Sequence, residues 1–250
     1  MSVHIHVYVK RYTSLSHSCI SRTTDKDNTR DVVMEMCSSP DVHKVSFTGS
    51  TAVGKLLMKH SSSTVKRLSL ELGGNAPFVV FEDANLEQAV EAALSAKFRN
   101  AGQTCVSADR FLVHSSVHDA FVELFSDRIQ QKLVPGDGMS GETTLGPLIS
   151  ANAATVVHRK IVEAVKEGAE CVVGGYKIPS LGPNFVEPTV LTNVSTDSRI
   201  WKTESFGPVA AIRSFEDEQE ALAIANDSRA GLASYFCTQD LSRVFRFSQR

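Results

Sequence analysis

From residue 42 to the end of the chain, short runs of β-branched and aromatic residues alternate with longer segments whose apolar residues return at helical spacing. No other feature constrains the fold as much. Strands and helices that alternate along a chain argue for a parallel or mixed sheet with helices on both faces, the α/β class. The pattern predicts strands over residues 42–47, 66–70, 77–81, 110–113, 170–173, 185–191, 208–215 and 232–238. Helices are expected over 31–37, 50–60, 86–98, from Val117 to about Leu133, 151–167, 217–227 and 241–250. In the third of these, Leu86, Ala89, Val90, Ala93 and Leu94 share one face, with Asp83 as a candidate cap. Ser150 and Gly168 supply a start and a stop for the helix over 151–167. Residues 134–147, with four glycines and two prolines, read as a surface loop. No internal repeat is visible.

A chain of 250 residues can bury one large core or two modest ones. Its net charge of −2, with 22% charged residues, gives no reason to expect nucleic acid or an anionic membrane surface as a partner. No apolar run reaches the roughly 18 residues of a membrane helix, so no membrane association is expected. The five cysteines (Cys19, Cys37, Cys105, Cys171 and Cys237) are odd in number, far apart and without paired ligand spacing. Neither a disulfide framework nor a zinc site follows from them, and a reducing compartment fits.

The first 30 residues differ in character. They hold Lys10, Arg11, Arg22, three histidines and many serines, with no acid before Asp25. That composition is loosely that of a mitochondrial transit peptide. Residues 3–9, however, alternate apolar and polar at strand period, whereas a transit helix would show a 3.6-residue period. A disordered or non-native leader over residues 1–30 is the expectation.

Two stretches carry chemistry-bearing residues. In the first, the helix over 86–98 leaves through Asn100-Ala101-Gly102, a small-residue loop that sets down Cys105 before the strand at 110–113. A lone cysteine reads as an inert buried residue unless something near it argues otherwise. In the second, residues 67–75 read as a strand running into Gly73-Gly74 with Glu71 at its mouth, either a working carboxylate or a solvated strand end. Upstream, a strand, Gly49 and the start of a helix at Ser50 form an anion site in principle, because the first amides of a helix point outward without carbonyl partners. Residues 49–55 also match most of a nucleotide-triphosphatase phosphate loop. That reading fails at Leu56, where a hydroxyl is needed to hold magnesium.

Taken together, Glu71-Leu72-Gly73-Gly74, Gly102-Gln103-Thr104-Cys105, Phe47-Thr48-Gly49-Ser50 and Glu204-Ser205-Phe206-Gly207-Pro208 make the chain resemble the aldehyde dehydrogenase superfamily from about Asp31 to Arg250. Phe98-Arg99-Asn100 is most similar to the branch that oxidises succinate semialdehyde. The resemblance implies an aldehyde-dehydrogenase-like α/β fold with a leader over 1–30. Residues 31–71 would be the C-terminal remnant of an NAD(P)-binding domain. Residues 72–250 would be most of a catalytic thiol domain, and the chain is expected to lack both ends of a full-length member.

The same resemblance implies an NAD- or NADP-dependent oxidation of a small aldehyde to an acid, with Cys105 as nucleophile and Glu71 as general base. Arg99 would bind the distal carboxylate of the substrate, with a surface ion pair as the alternative reading. Gly49, Ser50, Gly54, Leu72, Gly73, Glu204 and Phe206 would receive the dinucleotide. For Ser50 a helix cap is a compatible role, and for Glu204 and Phe206 a loop cap and a core ring are the structural alternatives. Full-length members are homo-oligomers whose oligomerisation strand lies outside this sequence, as do a second oxyanion donor and a second substrate arginine. A mitochondrial or cytoplasmic location is implied. An inactive chain that acts through association with full-length subunits is the competing expectation.

Overall fold

The computed structural model describes the backbone of residues 5–10 and 17–22, and backbone with side chains over residues 29–250. They fall into two compact units, Met1–Gly73 and Gly74–Arg250.

The first unit contains β1 (Ile5–Lys10), β2 (His17–Arg22), α1 (Thr29–Ser38), β3 (Val42–Thr48), α2 (Thr51–Ser61) and β4 (Arg67–Glu71). Its sheet runs in the order β2, β1, β3, β4. β1 is antiparallel to both its neighbours, and β3 and β4 are parallel. The small core is Cys37, Val42, Val45, Phe47 and Leu57, with Leu68, Leu70 and Leu72 packed against it. The expected disordered leader is corrected over residues 5–10 and 17–22, where strand-period alternation lets β1 pair with β3, Ile5 opposite Phe47 and Val7 opposite Val45. Of the basic residues that suggested a transit peptide, His4 and Arg11 lie outside the described residues.

The second unit contains β5 (Ala76–Val80), α3 (Leu86–Phe98), β6 (Ala108–His114), α4 (His118–Lys132), α5 (Ala151–Lys166), β7 (Glu170–Val173), β8 (Thr189–Thr192), α6 (Arg199–Lys202), β9 (Val209–Phe215), α7 (Glu218–Asn226), β10 (Tyr235–Cys237) and α8 (Leu241–Ser248). Its six-stranded sheet has the order β10, β5, β6, β9, β8, β7. All neighbours are parallel except the edge pair β7 and β8. Every residue of β5 and β8 is buried, as are the first six of β6. Because successive side chains leave a strand on opposite sides, unbroken burial means that both faces of the sheet are covered. Phe78 on β5, Phe111 on β6 and Phe125 on α4 form a continuous aromatic seam, with ring centroids 5.3 and 5.7 Å apart.

Three expectations need correction. Asn85, not Asp83, caps α3: its side chain accepts from the Gln88 amide at 3.1 Å. Asp83 instead accepts from Thr238 and from the amides of Gln239 and Asp240, and pairs with Arg243 at 2.7 Å. The strand expected over 185–191 shortens to Thr189–Thr192, because Pro188 has no N–H for a ladder. Within the loop at 134–147, Leu145 is buried and its amide donates to Val134, as does that of Thr144, while Gly136 donates to Leu145, so the two ends of the loop are pinned together.

Candidate active site

In the first unit β3 ends at Thr48 and α2 begins at Thr51, so Gly49 and Ser50 make the whole turn. The Gly49 amide donates to the Glu71 carbonyl at 2.9 Å, tying this turn to the end of β4. The Ser50 hydroxyl caps α2 by accepting from the Val53 amide at 3.4 Å, and the amides of Thr51 and Ala52 have no intrahelical carbonyl. Gly54 lies on Leu72, whose Cδ2 would sit 2.7 Å from a Cβ at position 54. The Glu71 side chain is exposed and has no hydrogen bond or ion pair among the described residues. Gly73 ends the unit. The turn, the first amides of the helix and the strand end are thus one assembly.

In the second unit, α3 stops at Phe98 because Arg99 turns to an extended backbone (φ −53°, ψ 131°). Asn100, Ala101 and Gly102 then all take positive φ, at 54°, 53° and 74°. A left-handed alanine costs on the order of 1–2 kcal/mol, so the conformation has to be held from outside. Gln103 does much of that. Its amide and its side-chain amide both donate to the Asn100 carbonyl at 3.1 Å, and its side-chain oxygen accepts from the Ile149 amide at 2.8 Å. Gly102 has no room for a side chain, since a Cβ there would lie 2.1 Å from the Gly207 carbonyl oxygen.

The loop delivers Cys105 as a free, half-buried thiol. On its far side Ser107 donates to the Lys97 carbonyl, and Tyr235 donates to the Val106 carbonyl at 2.8 Å. Arg99, beside it in sequence, is exposed and makes no ion pair among the described residues.

Glu204 reaches the same place from the loop before β9. Its carboxylate accepts from the Gly74 amide at 3.1 Å. A Cβ on Gly74 would lie 2.0 Å from the Cys105 carbonyl oxygen, so Gly74 touches the thiol loop and the carboxylate at once. Burial, aided by Asp109, pushes the Glu204 carboxyl above its ordinary range, against the pull of the Gly74 bond and of Lys160 and Lys97. Phe206 is held at φ 48° and leaves over a third of its surface exposed, so it is not a core ring. The Cys105 backbone and the Glu204 carboxylate therefore meet at Gly74 within this unit, with Phe206 two residues after Glu204 and Arg99 at the start of the thiol loop.

Sequence reasoning missed the charges beneath. Lys97 and Asp109 form a fully buried pair at 2.7 Å. Asp109 also accepts from the Ser205 amide at 3.1 Å, and Lys160 donates to the Glu204 carbonyl at 2.6 Å. A usable signal exists, because Lys97 continues the stripe of Ala93 and Leu94, and Lys160 sits between Val157 and Ile161. A charge at a position that periodicity places inside must find a partner.

Among the described residues no group of three or more His, Cys, Asp or Glu side chains is placed to hold a metal ion. No helix among the described residues is long and apolar enough to cross a membrane. Burial pushes the Cys237 thiol up to about 11. At about pH 8 iodoacetamide is therefore expected to alkylate Cys105 and leave Cys237 unmodified. Peptide mass mapping checks this, and early labelling of Cys237 would contradict it.

The chain belongs to the aldehyde dehydrogenase family, whose model matches residues 26–250. The α/β architecture is that of the family. The chain is 47% identical over 225 residues to the mitochondrial succinate-semialdehyde dehydrogenase of Hylobates lar, covering 90% of this chain and 42% of that one. It is 51% identical over 216 residues to an NADP(+) succinate-semialdehyde dehydrogenase of Schizosaccharomyces pombe, covering 86% and 43%. The crystal structure of succinate-semialdehyde dehydrogenase from Burkholderia pseudomallei superposes with a TM-score of 0.87 at 46% identity, over 91% of this chain and 47% of that one. The chain spans less than half the length of these relatives.

Proposed function

We propose that this chain carries the thiol chemistry of an NAD(P)-dependent oxidation of an aldehyde to an acid, with succinate semialdehyde as substrate. One observation carries the reading: Gly74 donates its amide to Glu204 while its Cα lies against the Cys105 carbonyl, so nucleophile and cofactor carboxylate share a backbone support.

The residues present suit a dinucleotide. Glu204 is half-buried and uses one carboxylate oxygen on Gly74, which leaves acceptor capacity for a ribose diol. Gly49, Ser50 and the free first amides of α2 suit a pyrophosphate, with Gly54 and Leu72 packed beneath, and Gly73, just after the Leu72 carbonyl, would let the backbone approach the carboxamide. Phe206 offers an exposed ring for the nicotinamide. When bound, the dinucleotide supplies the hydride acceptor.

The Cys105 thiolate forms a carbon–sulfur bond to the aldehyde carbonyl, and the carbonyl electron pair moves onto oxygen, where the Cys105 amide can donate. Collapse of that oxyanion expels the hydride and leaves a thioester on Cys105. Glu71 takes a proton from the water that cleaves the thioester, assistance worth about 10²–10⁴ in rate. Arg99 needs to release no partner before it grips the distal carboxylate of a short ω-oxo acid with two parallel hydrogen bonds.

The wild-type chain is expected to reduce NAD+ or NADP+ in the presence of succinate semialdehyde, measured by the near-ultraviolet absorbance of the product, and Cys105→Ala to abolish the signal. Glu71→Gln should lower steady turnover by about 10²–10⁴ while keeping a single-turnover burst. A wild-type signal no larger than that of Cys105→Ala would end this reading. It would leave the second one, an inactive chain that works through longer subunits, which draws on the 42% coverage of a full-length relative.

A further inference from the structure

We propose that Lys160, with the Lys97–Asp109 pair, is a positioning residue for the Glu204 carboxylate: a buried ionic pedestal under residues 203–205 that fixes where a dinucleotide's ribose is received. The inference rests on the reading of Glu204 as a cofactor ligand.

The segment between the end of α6 at Lys202 and the start of β9 at Val209 has neither helix nor strand to satisfy its backbone. Buried peptide groups in such a stretch need other partners. Lys160 Nζ donates to the carbonyls of Glu204 and Thr203, at 2.6 and 3.4 Å. The Ser205 amide donates to Asp109 Oδ2 at 3.1 Å, and Asp109 Oδ1 takes Lys97 Nζ at 2.7 Å. Three successive residues are thus gripped from below by charge-assisted bonds, while the Gly74 amide fixes the carboxylate from the side.

Packing alone does not call for these charges. Lys160 is 5% exposed and Lys97 is fully buried, where a methionine of similar length would fill the space without a desolvation cost. What ammonium groups add is direction, because each aims donors at particular oxygens. α5 also acts on the thiol loop: Ile149, just before its Ser150 cap, donates to Gln103. One helix therefore braces both the cofactor carboxylate and the nucleophile loop, by separate contacts.

Lys160→Met and Lys160→Arg test the proposal on the whole chain with three readouts: hydrogen exchange of single amides without cofactor, dinucleotide affinity from Trp201 fluorescence, and the rate of Cys105 alkylation. Lys160→Met is expected to speed exchange at the Ser205 and Gly74 amides and to raise the dinucleotide Kd by about tenfold or more. Exchange in β6 and β9 and the Cys105 alkylation rate should stay as in the wild type, and Lys160→Arg should recover most of the affinity. Unchanged exchange at Ser205 and Gly74, an unchanged Kd, or acceleration spread evenly over β6 and β9 would each overturn it. If the wild type binds no dinucleotide, the functional reading falls by itself, and the two amides alone then decide whether the pedestal exists.

Discussion

Lys97→Met is expected to lower the unfolding free energy of this chain by about 3–5 kcal/mol, because it strips one partner from a buried ion pair. Distance does not set that figure. Lys132 and Glu91 approach to 2.6 Å, closer than the 2.7 Å of Lys97 and Asp109. Yet both members of the first pair keep almost half their side-chain surface in water, while Lys97 and Asp109 keep 0% and 2%. Water screens the exposed pair and takes over when one partner is lost, so Lys132→Met should cost less than about 1 kcal/mol. Asp109 has no such recourse. After Lys97→Met its carboxylate stays enclosed with the Ser205 amide as its one remaining hydrogen bond among the described residues, and only the more distant charges of Lys160 and Arg110 to offset it. The double variant Lys97→Met/Asp109→Asn removes both charges and keeps an oxygen for Ser205, so it should regain most of the loss, the coupling that a double-mutant cycle reads. Urea unfolding of the wild type, Lys97→Met, Asp109→Asn and the double variant measures it, with Lys132→Met as the exposed comparison. Equal losses for Lys97→Met and Lys132→Met would show that burial of the pair has no energetic consequence.

This contrast also marks what the sequence makes legible. α3 spans the residues expected of it, because its apolar stripe and its end at the Asn100-Ala101-Gly102 loop are local signals. Asp83 was misread for the opposite reason: its partners Thr238 and Arg243 lie more than 150 positions away, and no local pattern announces them. The charges at Lys97 and Lys160 are half-legible. Periodicity places both inside, but it does not say that one meets a carboxylate and the other two backbone carbonyls. In the leader, the strand period of residues 3–9 argues against a transit helix but names no partner strand, and the pairing of β1 with β3 is a long-range contact. Cys105, Glu71 and Glu204 are candidates through motifs, and those motifs say nothing of the support beneath them. Gly74 is legible as part of a turn and of a motif, but neither shows that the thiol loop and the Glu204 carboxylate both lean on it.

That position gives the second large effect. On the proposed activity, Gly74→Ala is expected to lower turnover by about 10²-fold, the penalty of an ångström-scale misplacement at a reacting centre. It should also cost about 1–3 kcal/mol of stability through overpacking. A Cβ at position 74 would lie 2.0 Å from the Cys105 carbonyl oxygen, and what it meets is backbone, not the end of a flexible side chain that could swing aside. Either the Cys105 peptide moves, carrying the thiol with it, or residue 74 withdraws and its amide leaves the Glu204 carboxylate. Both routes damage the site. Gly138 provides the control, since a Cβ there meets nothing within 4 Å and the loop is exposed, so Gly138→Ala should leave stability and turnover as they are. The Cys105 alkylation rate and the dinucleotide Kd tell the two routes apart. A displaced thiol changes the first and spares the second, whereas a withdrawn amide does the reverse. If Gly74→Ala matches Gly138→Ala in both measurements and in stability, the close approach of residues 74 and 105 is not a feature of the protein in solution, and the shared support for nucleophile and carboxylate goes with it.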